Sequence, residues 1–512
     1  MPPDLYKPSS HCAEVLATAL ADRSVIIVSN RGPFLLTEDD FGEVQFNRGG
    51  GGLVTALLGM AQNVETTWIS CAQTETDRHW SEGNCQLDEP DEKISLAFID
   101  PQPDAYEGYY NAIANPLLWF LQHSIWDFVR SPNITRSTWQ AWENGYLVVN
   151  RLFAESIARI ISNSAKPNLV MFQDYHLYLA PRILRRMMRP GKKNLLTHFI
   201  HIPWPGPEHW RVLPPLMRQT ILEGLCAVDL LGLQTREDAL NFIRTCESLL
   251  PGVKVNYHQG RIWYRNHATH VRDFPISINI QALEELANSA EVSEYRSQLE
   301  TQLADRRLIL RIDRTEPSKN IVRGFEAFEE LLDQHPEHRE KVVFWGLLVP
   351  SRLAVDEYQN YLDEIMAAVG RINARYGNSA WEPVRVLVGD DYPRAVAGLK
   401  LYDVLLVNSI ADGMNLVAKE GPVVNQKDGV LILSERAGAV QQLGEGALVI
   451  SPCDIMNTSE ALHRALLMTV EERHERASRL RQSIADEDIN QWLCWQLEAL
   501  AELEKGKAVP ER

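Results

Sequence analysis

A chain of 512 residues exceeds what one compact core supports, so two or three domains are expected. Its 45% hydrophobic and 23% charged shares are those of an ordinary globular enzyme, not of a disordered or fibrous chain. The net charge of −17 argues against a nucleic-acid partner and requires any anionic ligand to meet a local group of Arg and Lys. Seven cysteines (Cys12, Cys71, Cys85, Cys226, Cys246, Cys453, Cys494) are odd in number and lack CxxC spacing. That fits a reducing compartment and offers no zinc site. No apolar run is long enough to span a membrane, and no basic region with an apolar core opens the chain, so a cytoplasmic protein is expected.

In chain order, Val15, Leu16, Ala19 and Leu20 fall at helical spacing. The run Ser24-Val25-Ile26-Ile27-Val28-Ser29 predicts a strand buried on both faces of a parallel sheet, ending at the turn cluster Asn30-Arg31-Gly32-Pro33. Asn47-Arg48-Gly49-Gly50-Gly51-Gly52-Leu53 precedes a small-residue helix. Its glycines would let backbone N–H groups approach a ligand closely. The spacing is neither a dinucleotide fingerprint nor a P-loop, and a flexible turn is the plain alternative.

Further strands are predicted at 67–71, 95–99, 168–173, 195–202 and 228–234, with helices at 146–162 and 237–250 between them. The aromatic-rich segment 109–130 also reads as helical. Such alternation implies a doubly wound α/β domain. Phe172-Gln173-Asp174-Tyr175-His176 ends one strand, and the next runs through His198 and His201 into Pro203-Trp204-Pro205. An ionisable residue at the carboxyl end of a parallel strand faces the crevice of such a sheet. Strand alternation puts His198 and His201 on opposite faces, so they are not a simple metal pair. A capping Asp and a satisfied core His are the plain alternatives.

Phe274-Pro275-Ile276-Ser277 marks the expected boundary between a domain 1–276 and a domain 277–485. After a charged helical stretch at 280–306 the alternation restarts, with strands at 308–312, 341–348, 384–388, 404–407, 430–434 and 447–450. Two similar α/β halves suggest a binding cleft between them at the carboxyl ends of the strands. The tail, 486–512, carries Trp492, Trp495, Leu497 and Leu500 on a helix apolar enough to dock.

Three stretches of the second half could carry chemistry. The segment from Arg311 to Asn320 leaves a strand and enters a helix, with Arg314 and Lys319 spaced to set two cations over a diphosphate. A solvated charged loop is the alternative. Ser351-Arg352 adds a cation after the next strand. Asp412-Gly413-Met414-Asn415-Leu416-Val417-Ala418-Lys419-Glu420 follows the strand 404–407 through a short turn and opens a helix, whose N-terminus suits phosphate. An ordinary strand-to-helix junction with a polar cap would look the same.

As a series these stretches resemble retaining glycosyltransferases of the trehalose-6-phosphate synthase family over nearly the whole chain. The matching stretches in order are Val-Ser-Asn-Arg at 28–31, Gly-Gly-Leu at 51–53, and Tyr109-Tyr110-Asn111 with Asn115 and Trp119. Asp-Tyr-His-Leu at 174–177, His-Ile-Pro-Trp-Pro at 201–205 and Leu-Leu-Gly-Leu-Gln-Thr at 230–235 follow. Arg314, Lys319, Ser351-Arg352, the segment 371–377 and the 412–420 motif complete the series.

The resemblance implies an α/β fold of two Rossmann-like domains facing a central cleft, the GT-B architecture, with a last helix crossing back to the first domain. It implies transfer of glucose, with retention, from a nucleoside-diphosphate glucose to glucose 6-phosphate, giving α,α-trehalose 6-phosphate. Arg31, Tyr110, Trp119, Asp174 and Arg352 would bind the acceptor. Gly51, Gly52, Arg314, Lys319, Tyr392, Leu416, Val417, Ala418, Lys419 and Glu420 would bind the donor. Asp412 and His201 would hydrogen-bond the transferred glucose, with Arg314 and Lys319 stabilising the leaving diphosphate. No metal and no other cofactor is implied. The partners are the two small-molecule substrates, without nucleic acid or membrane, and self-association is left open. The chain departs from the family at the loop 314–320 (commonly Arg-Leu-Asp-Tyr before Lys-Gly), Cys71, Gln173 and Ala411. Those departures leave open the donor base, another acceptor as in glucosylglycerol-phosphate synthases or pseudo-glycosyltransferases, and a non-catalytic sugar-phosphate sensor.

Overall fold

The structure, a computed structural model, describes residues 22–38, 44–48, 64–80, 85–86, 94–188, 193–352 and 355–505, together with 15, 20 and 57. Gly51 and Gly52 lie outside the described residues. The chain divides into two units, Met1–Pro275 with Ile489–Arg512, and Ile276–Asp488.

The strands of the first unit are β1 (Ser24–Val28), β2 (Phe34–Glu38), β3 (Val44–Arg48), β4 (Thr66–Cys71), β5 (Cys85–Gln86), β6 (Ile94–Ile99), β7 (Asn168–Gln173), β8 (Leu195–Phe199), β9 (Leu230–Leu233), β10 (Lys254–Asn256), β11 (Arg261–Tyr264) and β12 (His267–Asp273). Ten of them form one sheet in the order β10-β11-β12-β9-β8-β7-β1-β4-β6-β5. Its centre, from β12 across to β6, is parallel, and antiparallel pairs close both edges. β2 and β3 pair separately as an antiparallel hairpin. Val25, Ile26, Ile27 and Val28 are all fully buried, as expected for β-branched residues on a strand covered on both faces.

β8 ends at Phe199, three residues short of the predicted end. Pro203 and Pro205 lack the N–H a ladder needs and push their predecessors out of register, so the chain leaves the sheet early. His201 is therefore past the strand, and alternation no longer decides where it points.

The aromatic segment is helical but underwound. Gly108–Leu118 is π-helical and continues as the α-helical turn Trp119–Gln122. A second π-turn, Trp142–Tyr146, crosses it. Gly145 makes that crossing feasible, because a Cβ there would stand 2.6 Å from the backbone nitrogen of Tyr109 and 2.7 Å from the carbonyl carbon of Gly108. Gly145→Ala is expected to lower stability by about 1–3 kcal/mol, since backbone must move to admit the methyl group. A thermal melt equal to that of the parent would contradict this close approach.

The helix Ile489–Glu504 belongs to the first unit. It buries Trp492 edge-on against Phe199, with ring centroids 5.2 Å apart. Cys71, Cys226, Cys246 and Cys453 are free thiols, whereas Cys494 is disulfide-bonded, which corrects the expectation of uniformly reduced cysteines.

The second unit holds β13 (Arg307–Arg314), β14 (Val342–Val349), β15 (Val384–Val388), β16 (Val404–Val407), β17 (Val430–Ser434) and β18 (Leu448–Ile450). They form an all-parallel sheet in the order β15-β14-β13-β16-β17-β18. Counted within the unit, this is the nucleotide-binding order 3-2-1-4-5-6, which reverses direction between β13 and β16. Ligands of such sheets sit outside the carboxyl ends of the strands at that reversal. The charged stretch 280–306 is two helices, Ile280–Ala287 and Ala290–Leu303. Ser289 breaks it by capping the second helix through its side chain. Among the described residues no helix is long and apolar enough to cross a membrane.

Candidate active site

In the second unit the predicted cations converge at the carboxyl ends of β13 and β14. The organiser is Glu316, which is fully buried. Its Oε1 accepts from Arg352 Nη1 at 2.8 Å and Ser351 Oγ at 2.8 Å, and lies 3.1 Å from Arg314 Nη1. Burial alone would raise the carboxyl's pKa, but Arg314, Arg352 and Lys319 outweigh it and hold it down at about 2. Arg352 adopts a left-handed backbone (φ 47°) and also donates to Tyr358 Oη at 3.0 Å. Glu316 was not singled out from the sequence, although an acid set between Arg314 and Lys319 was the available signal.

Arg311, also buried, shapes the same loop from beneath. It grips Asp313 Oδ2 through two nitrogens (3.1 and 2.7 Å) and donates to the carbonyls of Lys319 and Ile321. Asn320 follows in a left-handed conformation, φ 58°. Its amide donates to the carbonyls of Asn408 and Pro452, and Asn408 Nδ2 donates back to Asn320 O at 3.1 Å. These bonds join the loop after β13 to the loop after β16 across the reversal point. Asparagine tolerates this backbone region where most residues do not.

Lys319 Nζ stands 2.5 Å from Asp412 Oδ2, which also accepts from Ser409 Oγ and Asn415 Nδ2. Asp412 is further fixed by a bridge to Ala437 after β17. Asn415, φ 75°, accepts from Ala418 N in the first turn of the helix Val417–Val424. Glu420 lies on that helix and accepts from Tyr392 Oη at 3.0 Å. Lys419 points elsewhere: it is fully buried and donates to Ile276 O at 2.8 Å, and burial lowers its pKa to about 7.

In the first unit the candidates gather at the carboxyl ends of the neighbouring strands β1, β7 and β8. Arg31 is exposed just after β1. Asp174, after β7, has φ 68° and accepts from His201 N at 3.1 Å. The carbonyl of Asp174 meets His198 Nε2 at 2.9 Å, so both histidines converge on this residue. His201 Nε2 is 3.0 Å from Gln173 Oε1, and burial with His198 nearby drops its pKa to about 3. His201 is thus a neutral imidazole at physiological pH, suited to hydrogen bonding rather than to holding charge. Tyr110 stacks between Tyr106 and His176, with ring centroids 5.5 and 5.8 Å away. Trp119 packs on Tyr175 at 5.6 Å. The π-helical winding sets these rings over the 174–176 turn, and such segments recur at functional sites.

The arrangement can hold anions in the second unit and a polyol against aromatic faces and a fixed carboxylate in the first. Comparison with known proteins agrees with that chemistry. The family model described as glycosyltransferase family 20 matches residues 23–502. The chain is 31% identical over 470 residues to the probable alpha,alpha-trehalose-phosphate synthase [UDP-forming] 2 of Arabidopsis thaliana, covering 91% of this chain but only 56% of that relative's length. It is also similar to the solved structure named trehalose-6-phosphate from E. coli bound with UDP-2-fluoro glucose. There the TM-score is 0.81 at 29% identity, over 93% of this chain and 98% of the other. A Burkholderia xenovorans alpha,alpha-trehalose-phosphate synthase (UDP-forming), solved in complex with glucose-6-phosphate, has a TM-score of 0.79 at 27% identity, over 94% of this chain and all of that one. With the family model spanning both units, the chain belongs to glycosyltransferase family 20.

Proposed function

We propose that this protein transfers glucose from UDP-glucose to glucose 6-phosphate with retention, forming α,α-trehalose 6-phosphate and UDP. The observation that carries the reading is the ion cluster at the sheet reversal: Glu316 holding Arg314 and Arg352, beside Lys319 on Asp412. An acidic protein maintains such a concentration of cations where a diphosphate must be held.

Cleavage of a sugar nucleotide loads negative charge on the departing diphosphate while the anomeric carbon becomes cation-like. Arg314 and Lys319 supply fixed positive charge to the first change, so this step asks for no divalent ion. Asp412, already restrained by Ser409 and Asn415, orients the transferred glucose. The ribose hydroxyls donate to Glu420 in place of Tyr392 Oη, while the Leu416–Ala418 backbone and Lys419's tie to Ile276 set the helix that carries it. Gly51 and Gly52 are assigned to the donor through backbone contacts. On the first unit Asp174, Tyr110, Trp119 and Arg31 take the acceptor, and His201 hydrogen-bonds the transferred glucose as a neutral group. Arg352 supplies a further planar cation for the acceptor's phosphate dianion. The departing phosphate oxygen receives the acceptor's proton.

A donor-by-acceptor matrix tests the reading, with UDP-, GDP- and ADP-glucose set against glucose 6-phosphate and glycerol 3-phosphate. A phosphorylated disaccharide formed from UDP-glucose and glucose 6-phosphate is expected. Absence of product with every donor would sink the reading in favour of a sensor, and turnover only with glycerol 3-phosphate would reassign the acceptor. Arg352→Ala is expected to raise the KM for glucose 6-phosphate far more than that for UDP-glucose. Equal shifts in both would remove Arg352 from the acceptor.

A further inference from the structure

A group of metal-ligating side chains in the second unit has no part in this reading. The helix Ile321–Gln334 ends at His335, and the short turn Pro336–His338 follows it. His463 lies on the helix Ile455–Leu467 packed alongside. The rings of His335 and His463 are stacked 3.5 Å apart and nearly parallel. Potential ligand atoms of His335, Glu337 and His463, one from each, lie within 4.8 Å of one another. His335 Nδ1 is 3.4 Å from Glu337 Oε1. Two ligands about 2.1 Å from a tetrahedral ion stand about 3.4 Å apart, so this pair already has the separation an ion needs.

A rotation of one of the two stacked rings brings its lone pair toward the shared position, and a further histidine stands behind them. His338 is buried, and its Nε2 lies 3.0 Å from His463 Nδ1. In that bond one ring nitrogen donates and the other accepts. With His463 donating through Nδ1, its Nε2 lone pair is turned to a ligand, the arrangement that a hydrogen-bond partner behind a metal-bound imidazole enforces. Glu460 approaches His335 Nε2 at 4.0 Å and adds negative charge, while Arg307 is the cation near His338. Glu337 and Glu460 are exposed, so the site opens to solvent and an ion can enter.

We propose that His335, Glu337 and His463 form a binding site for a divalent first-row transition ion, positioned by His338 and completed by water. Two imidazoles and one carboxylate suit zinc, cobalt or nickel better than magnesium or calcium, which prefer all-oxygen shells. The ion would fasten the end of one helix to the middle of another, and none of its ligands is a residue assigned to glucose transfer.

The full-length protein, stripped with EDTA and dialysed, is titrated calorimetrically with zinc and with nickel. One equivalent is expected to bind, with a rise in Tm on zinc addition. His335→Ala and His463→Ala each abolish the uptake, and His338→Ala weakens it by about ten- to a hundredfold. Cobalt titration of the parent gives visible ligand-field bands that His335→Ala lacks. Because His335 is half-exposed, that variant is expected to fold, and an unchanged metal-free Tm verifies it. Glucose transfer by EDTA-treated parent and by His335→Ala is expected to be unchanged, so failure of this site and failure of the proposed function are separable. The proposal is overturned if the parent shows no saturable uptake, or if His335→Ala and His463→Ala bind zinc as the parent does.

Discussion

Lys319→Ala is expected to lower kcat for glucose transfer by about a hundred- to a thousandfold, the usual cost of removing one fixed charge-stabilising group from a transition state. Measured as UDP release with both substrates saturating, most of the loss should appear in kcat, not in either KM. The physical reason lies in what Lys319 does before substrate arrives. Its ammonium, 2.5 Å from Asp412, is held by the carboxylate proposed to orient the glucose. Charge developing on the diphosphate therefore meets a cation that needs no reorganisation. Alanine removes that charge and also takes the ammonium partner from the mostly buried Asp412. Lys319→Arg keeps the charge but not the compact ammonium geometry, and should recover only part of the rate. A variant whose donor KM rises while kcat is unaltered would show that Lys319 binds the ground state and does nothing more.

Glu316→Gln is expected to produce the largest loss of stability among the site substitutions. A neutral amide in that position strands Arg352, whose side chain is only 10% exposed, beside a group that no longer offsets its charge. Breaking a buried pair in this way typically costs about 3–5 kcal/mol. Arg314 is about half exposed and contributes less, because water screens it. The same substitution should change the acid limb of stability. The Glu316 pKa falls from 4.5 to about 2 on folding, so its contribution is fully present above pH 4.5. It is lost as pH falls from there through about 2. Denaturation followed between neutral pH and that range should be less steep for Glu316→Gln than for the parent. Identical acid profiles would mean that the carboxylate is not held by the arginines in solution.

Much of the fold was legible because strands buried on both faces leave unbroken apolar runs. The segments 168–173, 384–388, 404–407 and 430–434 were read at their observed ends for that reason. The strands β10, β11 and β12 on one side of the sheet were missed, since their mixed sequences Lys-Val-Asn, Arg-Ile-Trp-Tyr and His-Ala-Thr-His-Val-Arg-Asp carry no comparable run. Helix in the aromatic segment was readable, but its π winding depends on a crossing through Gly145 that lies 37 residues beyond Gly108. The site was visible as ionisable residues at strand ends. What composed it was not: Glu316 looked like one more loop acid until three-dimensional proximity joined it to Arg352, 36 residues on. His338 and His463, 125 residues apart, left no local pattern at all.

Asn320 has a consequence for how substrate is met. Glycine at such a turn would lend the unfolded chain extra conformational freedom and would leave the loop without side-chain ties. Here one amide fixes the turn to the carbonyls of Asn408 and Pro452, and Asn408 returns a bond. The ordering entropy of this loop is therefore discharged when the protein folds, not when the nucleotide binds. Binding energy from the nucleotide is then available for the bond being broken, and the segment carrying Lys319 behaves as a preformed mould instead of a closing flap.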